Sequence, residues 1–194
     1  MFRRDVMFRA DNGKQSVYLT FDDGPIPEST PWILDILEKQ GAKATFFMVA
    51  DNARRYPLLY KAVTDGGHAV GNHTFHHKPP YRQTTEEMMK DVMLADDVLH
   101  SSLFRPPHGL IWRRQQNALS EAGYRIVMFD LNTLDYRKDR TPEQIVRSVR
   151  RNVRAGTIIN FHDSLKSIEK LKIALPQVIS LLKDRGFSFD VLTV

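Results

Sequence analysis

The chain contains no cysteine. Disulfide scaffolds, thiol nucleophiles and thiolate-bound zinc or iron–sulfur centres are therefore excluded, and any metal must sit on nitrogen and oxygen donors. The redox compartment stays open, because a chain without thiols works in any of them. No apolar run approaches the ~18 residues of a membrane-spanning helix. No repeat, low-complexity tract or Gly/Pro/Ser-rich linker divides the 194 residues, and a single domain spanning 1–194 is expected. With 42% hydrophobic and 26% charged residues, the composition excludes collagen-like, coiled-coil and disordered classes. The excess of base is small, Lys+Arg 28 against Asp+Glu 23, a net +5. That charge suits a nucleic acid, an anionic membrane or an anionic wall polymer and selects none of them. The first fifteen residues are basic, but Asp5 and Arg9 interrupt any apolar stretch. They do not form a complete signal peptide as they stand, and are expected as an N-terminal extension of a chain that reads as cytoplasmic.

What is present is an alternation of short apolar runs with capped helical segments. The runs 17–21, 43–49, 68–70, 103–105, 124–130, 157–161 and 187–192 read as strands. Thr30 with Pro31 marks a helix start and Gly41 its stop. Thr84 with Glu87, and Thr141 with Gln144, each read as a capping box, the second helix ending at Gly156. Near-continuous apolar strands alternating with helices imply a parallel sheet covered on both faces. An open doubly wound sheet and a trimmed (β/α) barrel with about seven parallel strands both fit. In either architecture ligands bind at the carboxyl ends of the strands.

Polar clusters stand at several of those ends. Asp22 and Asp23 close the first strand, and Gly24 allows a turn that lets both carboxylates address one site, one suited to a cation and the other to a proton. As a bare Asp-Gly-Pro sequence the same residues also describe a solvated turn. His73 and His77 have the i,i+4 spacing of two imidazole ligands, with His76 as an alternative partner. Three of the seven histidines fall within these five residues. His68 reads as a hydrogen-bonded structural residue. Arg105 is a permanent cation in a stiff Arg-Pro-Pro-His-Gly turn, able to pair with an acid on a neighbouring strand end. Asp130 and Asp135 follow one apolar strand, and His162 and Asp163 end another.

Together these segments resemble the polysaccharide deacetylase family, the NodB-homology domain of carbohydrate esterase family 4. The match spans about residues 17–192. TFDDGP (20–25) and HTFHH (73–77) are similar to its first two motifs, RPPHG (105–109), NTLDY (132–136) and IINFH (158–162) to the remaining three. His108 stands where the family usually has tyrosine, Asn132 where it often has aspartate and Tyr136 where it usually has tryptophan. The resemblance implies a distorted (β/α) barrel. At 194 residues, against ~250 for a full barrel, it would be a trimmed one with an open groove and no accessory domain.

It further implies a hydrolase that removes N-acetyl groups from a sugar polymer or oligomer, peptidoglycan- or chitin-like. Asp23, His73 and His77 would hold a divalent metal, zinc first, with cobalt, nickel or manganese able to use the same donors. Asp22 would be the base, held by Arg105, and His162 the acid, oriented by Asp135. The main-chain N–H of His108 would face the oxyanion, and Tyr136 with Ile159 would receive the acetyl methyl. A cell-envelope or extracellular location is implied if a leader has been removed. Other readings stand beside this one: a glycan-binding module with a decayed site, an amidase of the same fold acting on a small amide, and a two-histidine, one-carboxylate iron oxygenase. The strand–helix alternation disfavours the last, whose jelly roll is all-β. Nucleic acid is not expected as a partner: Arg147, Arg150, Arg151 and Arg154 form a stripe without interleaved stacking aromatics. Oligomeric state is not encoded in any feature above.

Overall fold

A computed structural model describes residues 6–10 and 13–193. Among them run nine strands: β1 (Val6–Met7), β2 (Ser16–Asp22), β3 (Ala44–Met48), β4 (Ala69–Asn72), β5 (Leu103–Phe104), β6 (Arg125–Val127), β7 (Leu131–Asn132), β8 (Ile158–His162) and β9 (Ser188–Phe189). The α-helices are α1 (Thr30–Lys39), α2 (Ala50–Arg55), α3 (Pro57–Asp65), α4 (Thr85–Leu99), α5 (Arg113–Glu121), α6 (Pro142–Asn152) and α7 (Ile168–Asp184). No helix among the described residues is long and apolar enough to cross a membrane.

The strand order is β1-β6-β5-β4-β3-β2-β8-β7, with β9 pairing β2, and every strand pairing is parallel. The result is the expected distorted (β/α) barrel. The run 124–130 does not stay one strand. Its first part, β6, pairs β5 and β1, and after three intervening residues Leu131 and Asn132, just past the run, pair β8, so a short stretch of chain passes from beside one sheet edge to form the other. The N-terminal segment also enters the sheet, Val6 and Met7 lying opposite Ile126 and Val127.

Burial follows the strand pleat. On β2, Val17, Leu19 and Phe21 face the helices, in one core with Ile159, Phe161 and Leu175. Phe21 stacks on Phe46 at 5.1 Å and on Phe161 at 5.5 Å. Tyr18, on the opposite face, packs inside the barrel with Phe47, Leu103, Val127 and Ile158. Thr20 and Asp22 share that inner face. Because the strands are parallel, their carboxyl ends form one rim, and residues from 22 to 162 in the sequence meet there.

Both capping boxes form, at Thr84–Glu87 and Thr141–Gln144. The α1 cap falls one residue earlier than expected, on Ser29. The Thr30 hydroxyl is engaged elsewhere, accepting from Ile26 N–H and donating to Asp163. Gly156 lies beyond the end of α6, and its position is fixed by close approach: a Cβ there would lie 2.2 Å from the Ala10 carbonyl oxygen. Arg154 also lies past α6 and pairs with Asp130 at 3.2 Å, leaving Arg147, Arg150 and Arg151 as the exposed helical stripe.

Candidate active site

Asp22, the last residue of β2, is 4% exposed and faces the barrel interior. A carboxylate there requires a partner, and Arg105 provides it, Nη1 donating to Oδ1 at 2.8 Å. Arg105 is itself fully buried. Its guanidinium lies 4.0 Å over the Phe47 ring and donates to Thr20 Oγ1, Asn160 Oδ1 and the carbonyls of Val127 and Met128. Every side of the planar fork meets an acceptor, so Asp22 is held by a cation that is itself immobile.

Asp23 takes a left-handed conformation, φ 82°, which turns its carboxylate away from that of Asp22. Asn52 Nδ2 donates to its carbonyl at 2.9 Å and holds the turn. Gly24 acts through close approach: a Cβ there would lie 2.0 Å from Asp163 Oδ2. Asp163 is buried and accepts from the hydroxyls of Ser29 and Thr30, and its N–H donates to Asp22 O at 2.7 Å. Burial pushes the Asp163 carboxyl up to about 6.

His73 and His77 meet Asp23 across the rim. Asp23 Oδ1 lies 3.2 Å from His77 Nε2 and 3.8 Å from His73 Nε2, and one donor atom from each of the three residues falls within 4.8 Å of the others. Burial lowers the His73 imidazole to about 4, so it is neutral. Its Nδ1 lies 2.7 Å from the Arg105 carbonyl, which fixes Nδ1 as the protonated nitrogen and leaves the Nε2 lone pair facing Asp23,. Burial alone would raise the Asp23 carboxyl, but the His77 hydrogen bond and the nearby imidazoles hold it well below the carboxylate range. Two imidazole nitrogens and an ionised carboxylate with an oriented tautomer fit a borderline divalent cation such as zinc.

His162 ends β8, directly opposite Asp22 in the pairing of β2 with β8. Asp135 grips it twice, Oδ2 accepting from the main-chain N–H at 2.8 Å and Oδ1 lying 2.7 Å from Nδ1. Burial opposes protonation of His162, but the bond and charge of Asp135 outweigh it and raise the imidazole to about 9. Nε2 is the nitrogen left for the cavity.

Asp22, Asp23, His73, His77 and His162 line one cavity of about 620 Å³, together with His108, Tyr136, Asn132, Phe129 and Leu165. The His108 ring lies 4.9 Å from that of His77, and Tyr136 stands edge-on to His162 at 4.8 Å. Ile159 does not reach the cavity. It is fully buried in the core beneath the helices, because β8 alternates and Asn160 and His162 take the inner face. His76 binds Asp91 instead of joining the cluster, Asp130 pairs with Arg9 and Arg154, and His68 accepts from Ala44 N–H. Sequence reasoning missed Thr20, Asn160 and Asp91. Each is a polar residue inside an otherwise apolar strand or helix face, and that is the signal that marks them.

A parallel α/β barrel carrying a His/His/Asp cluster and two buried acid–base pairs at its carboxyl rim has the design of a hydrolytic enzyme. Residues 9–127 match the family model for polysaccharide deacetylase, and the chain belongs to that family. It is 34% identical over 191 residues to a peptidoglycan-N-acetylglucosamine deacetylase of Bacillus cereus, covering 95% of this chain and 89% of the relative. It is 31% identical over 202 residues to a chitooligosaccharide deacetylase of Azorhizobium caulinodans, covering 95% and 96%. The crystal structure of the Bc1960 peptidoglycan N-acetylglucosamine deacetylase with a naphthyl N-oxidanyl-benzamide superposes with a TM-score of 0.92 at 31% identity, covering 97% of this chain and 91% of that one.

Proposed function

We propose that residues 1–194 form one catalytic domain that hydrolyses the acetamide of N-acetylated envelope glycans, releasing acetate and a free amine. The observation that carries this reading is the meeting, in one cavity, of Asp22, His162 and the Asp23/His73/His77 cluster, with Arg105 paired to Asp22 and Asp135 to His162 behind them. Asp23, His73 and His77 would hold a divalent ion, zinc first, which when bound supplies Lewis acidity to the carbonyl and the attacking water. Asp22 takes the proton of that water; Arg105 fixes its orientation and keeps it from rotating away. The main-chain N–H of His108 donates to the developing oxyanion, a role indifferent to the side chain at this position. His162 Nε2 gives its proton to the departing nitrogen, and Asp135, bonded to Nδ1, orients the ring and favours its protonated form,. Tyr136, over His162, walls the space for the acetyl methyl, in place of Ile159.

The test is acetate release from N-acetylglucosamine oligomers and from peptidoglycan. Release is expected with zinc, abolished by a chelator and restored by zinc. A wild type that binds the glycan and releases no acetate would instead support the decayed-site reading.

His162 acts in its protonated form, so its raised pKa of about 9 sets the alkaline limb of the rate profile,. Asp135→Asn removes the largest influence that raises it, leaving burial, which lowers it, against the charges of Asp22 and Asp23. The alkaline limb is therefore expected to move to lower pH, with the variant losing more rate at pH 8 than at pH 6. A profile of kcat/KM against pH checks this, and an unmoved limb removes His162 as the acid.

A further inference from the structure

Helix α4 buries Met88, Val92, Ala95 and Leu99 along one stripe. Asp91 falls in the same stripe and is only 7% exposed. A carboxylate on an apolar helix face is costly unless its oxygens are bonded. Both are, and both by His76: Oδ2 accepts from the His76 main-chain N–H at 3.1 Å, and Oδ1 is bonded to its Nδ1. One residue along the helix, the Val92 carbonyl accepts from Asn72 Nδ2 at 3.0 Å. Helix α4 thus grips residues 72 and 76, and each is followed directly by one of the two imidazoles that face Asp23.

The segment between these grips needs such holding. Thr74 and His77 both adopt left-handed backbone, φ 66° and 54°, a conformation that is costly for non-glycine residues and persists only where its surroundings impose it. Inside the segment, Thr74 N–H donates to Asn72 Oδ1 at 2.8 Å and His77 N–H donates to Thr74 Oγ1 at 3.0 Å. The start of α2 ties the middle of the segment to the body of the protein, Ala50 and Asp51 N–H donating to the Thr74 and Phe75 carbonyls at 3.0 and 3.3 Å, and Phe75 is buried in the core. Beyond Phe75 the tie is the Asp91–His76 pair, next to His77. His76 is 46% exposed at its side chain and is absent from the cavity lining, so its ring serves this bond and not the substrate.

We propose that Asp91 and His76 are positioning residues that set the metal affinity of the site by fixing the backbone of His77. The proposal rests on the Asp23/His73/His77 reading above. Its test measures zinc affinity of the full chain by chelator competition, together with the visible spectrum of the cobalt form and the melting temperature of the apoprotein. Asp91→Ala is expected to weaken zinc binding about 10–100-fold, the range typical of outer partners of ligands. His76→Ala should weaken it less, because the main-chain bond to Asp91 survives, and should alter the cobalt spectrum while leaving the apoprotein melting temperature near wild type. His76→Asn places an amide N–H where Nδ1 stood and should restore affinity and spectrum. Wild-type affinity in both alanine variants would overturn the proposal, as would a His76→Asn variant no better than His76→Ala. If Asp91→Ala fails to fold, the surface substitution at His76 still decides. A wild type that binds no zinc would overturn the triad reading itself, and this proposal with it.

Discussion

Asp22→Asn is expected to lower kcat for acetate release by about 10²–10⁴, the usual worth of a positioned general base, while zinc affinity stays at the wild-type level. The substitution is isosteric. The amide oxygen can still accept from Arg105, so the cage around position 22 keeps its shape. What is lost is the ability to take a proton in a site where Asp22 lies 2.8 Å from a fixed guanidinium. Asp23, on the other side of the turn at φ 82°, retains its place beside His73 and His77. The two carboxylates therefore separate experimentally: Asp23→Asn is expected to weaken metal binding, Asp22→Asn only turnover. Stopped or initial-rate acetate measurements beside a chelator competition distinguish them. A variant that keeps kcat within tenfold of wild type would remove Asp22 from the chemistry.

The architecture and most of this site were legible because they rest on simple periodicities. Fully apolar runs between capped helices define buried parallel strands, and parallel strands carry their terminal residues to one rim. The seven cavity residues Asp22, Asp23, His73, His77, His108, Tyr136 and His162, with Arg105 and Asp135 behind them, all stand at or near that rim. Two of the two-residue strands, β1 and β7, were not legible: they have no room for a pattern, and tertiary pairing creates them. Ile159 was misplaced for a reason the sequence did contain. If His162 faces the rim, then alternation puts Asn160 beside it and sends Ile159 to the helices. Thr30 resembled a cap because its hydroxyl stands at a helix start, yet a long-range acceptor, Asp163, lies 133 positions away and takes that hydroxyl. Local reading cannot see such a competitor. Asp91 carried its own flag, a charge within an apolar helical stripe, but its partner could be found only in three dimensions.

Arg105→Ala is expected to be the most destabilising single change at the site. The Asp22 carboxyl would lose its cation at 4% exposure, and breaking a buried pair in this way typically costs about 3–5 kcal/mol. Thr20 Oγ1, Asn160 Oδ1 and the carbonyls of Val127 and Met128 would lose their common donor as well. For a domain of this size that corresponds to a fall in melting temperature of roughly 6–20 °C. Deleting the guanidinium also leaves a void over the Phe47 ring. Arg105→Lys keeps the charge but offers a single ammonium in place of the planar fork, so it should fall between the two. The cause can be isolated with a double variant. If the stranded charge dominates, Asp22→Asn introduced into Arg105→Ala should recover part of the lost stability, because it removes the uncompensated carboxylate. If the void dominates, the two losses should simply add. Thermal melts of the four proteins close the cycle, and an Arg105→Ala protein that melts with the wild type would show that the barrel interior tolerates a bare carboxylate, contrary to the packing around it.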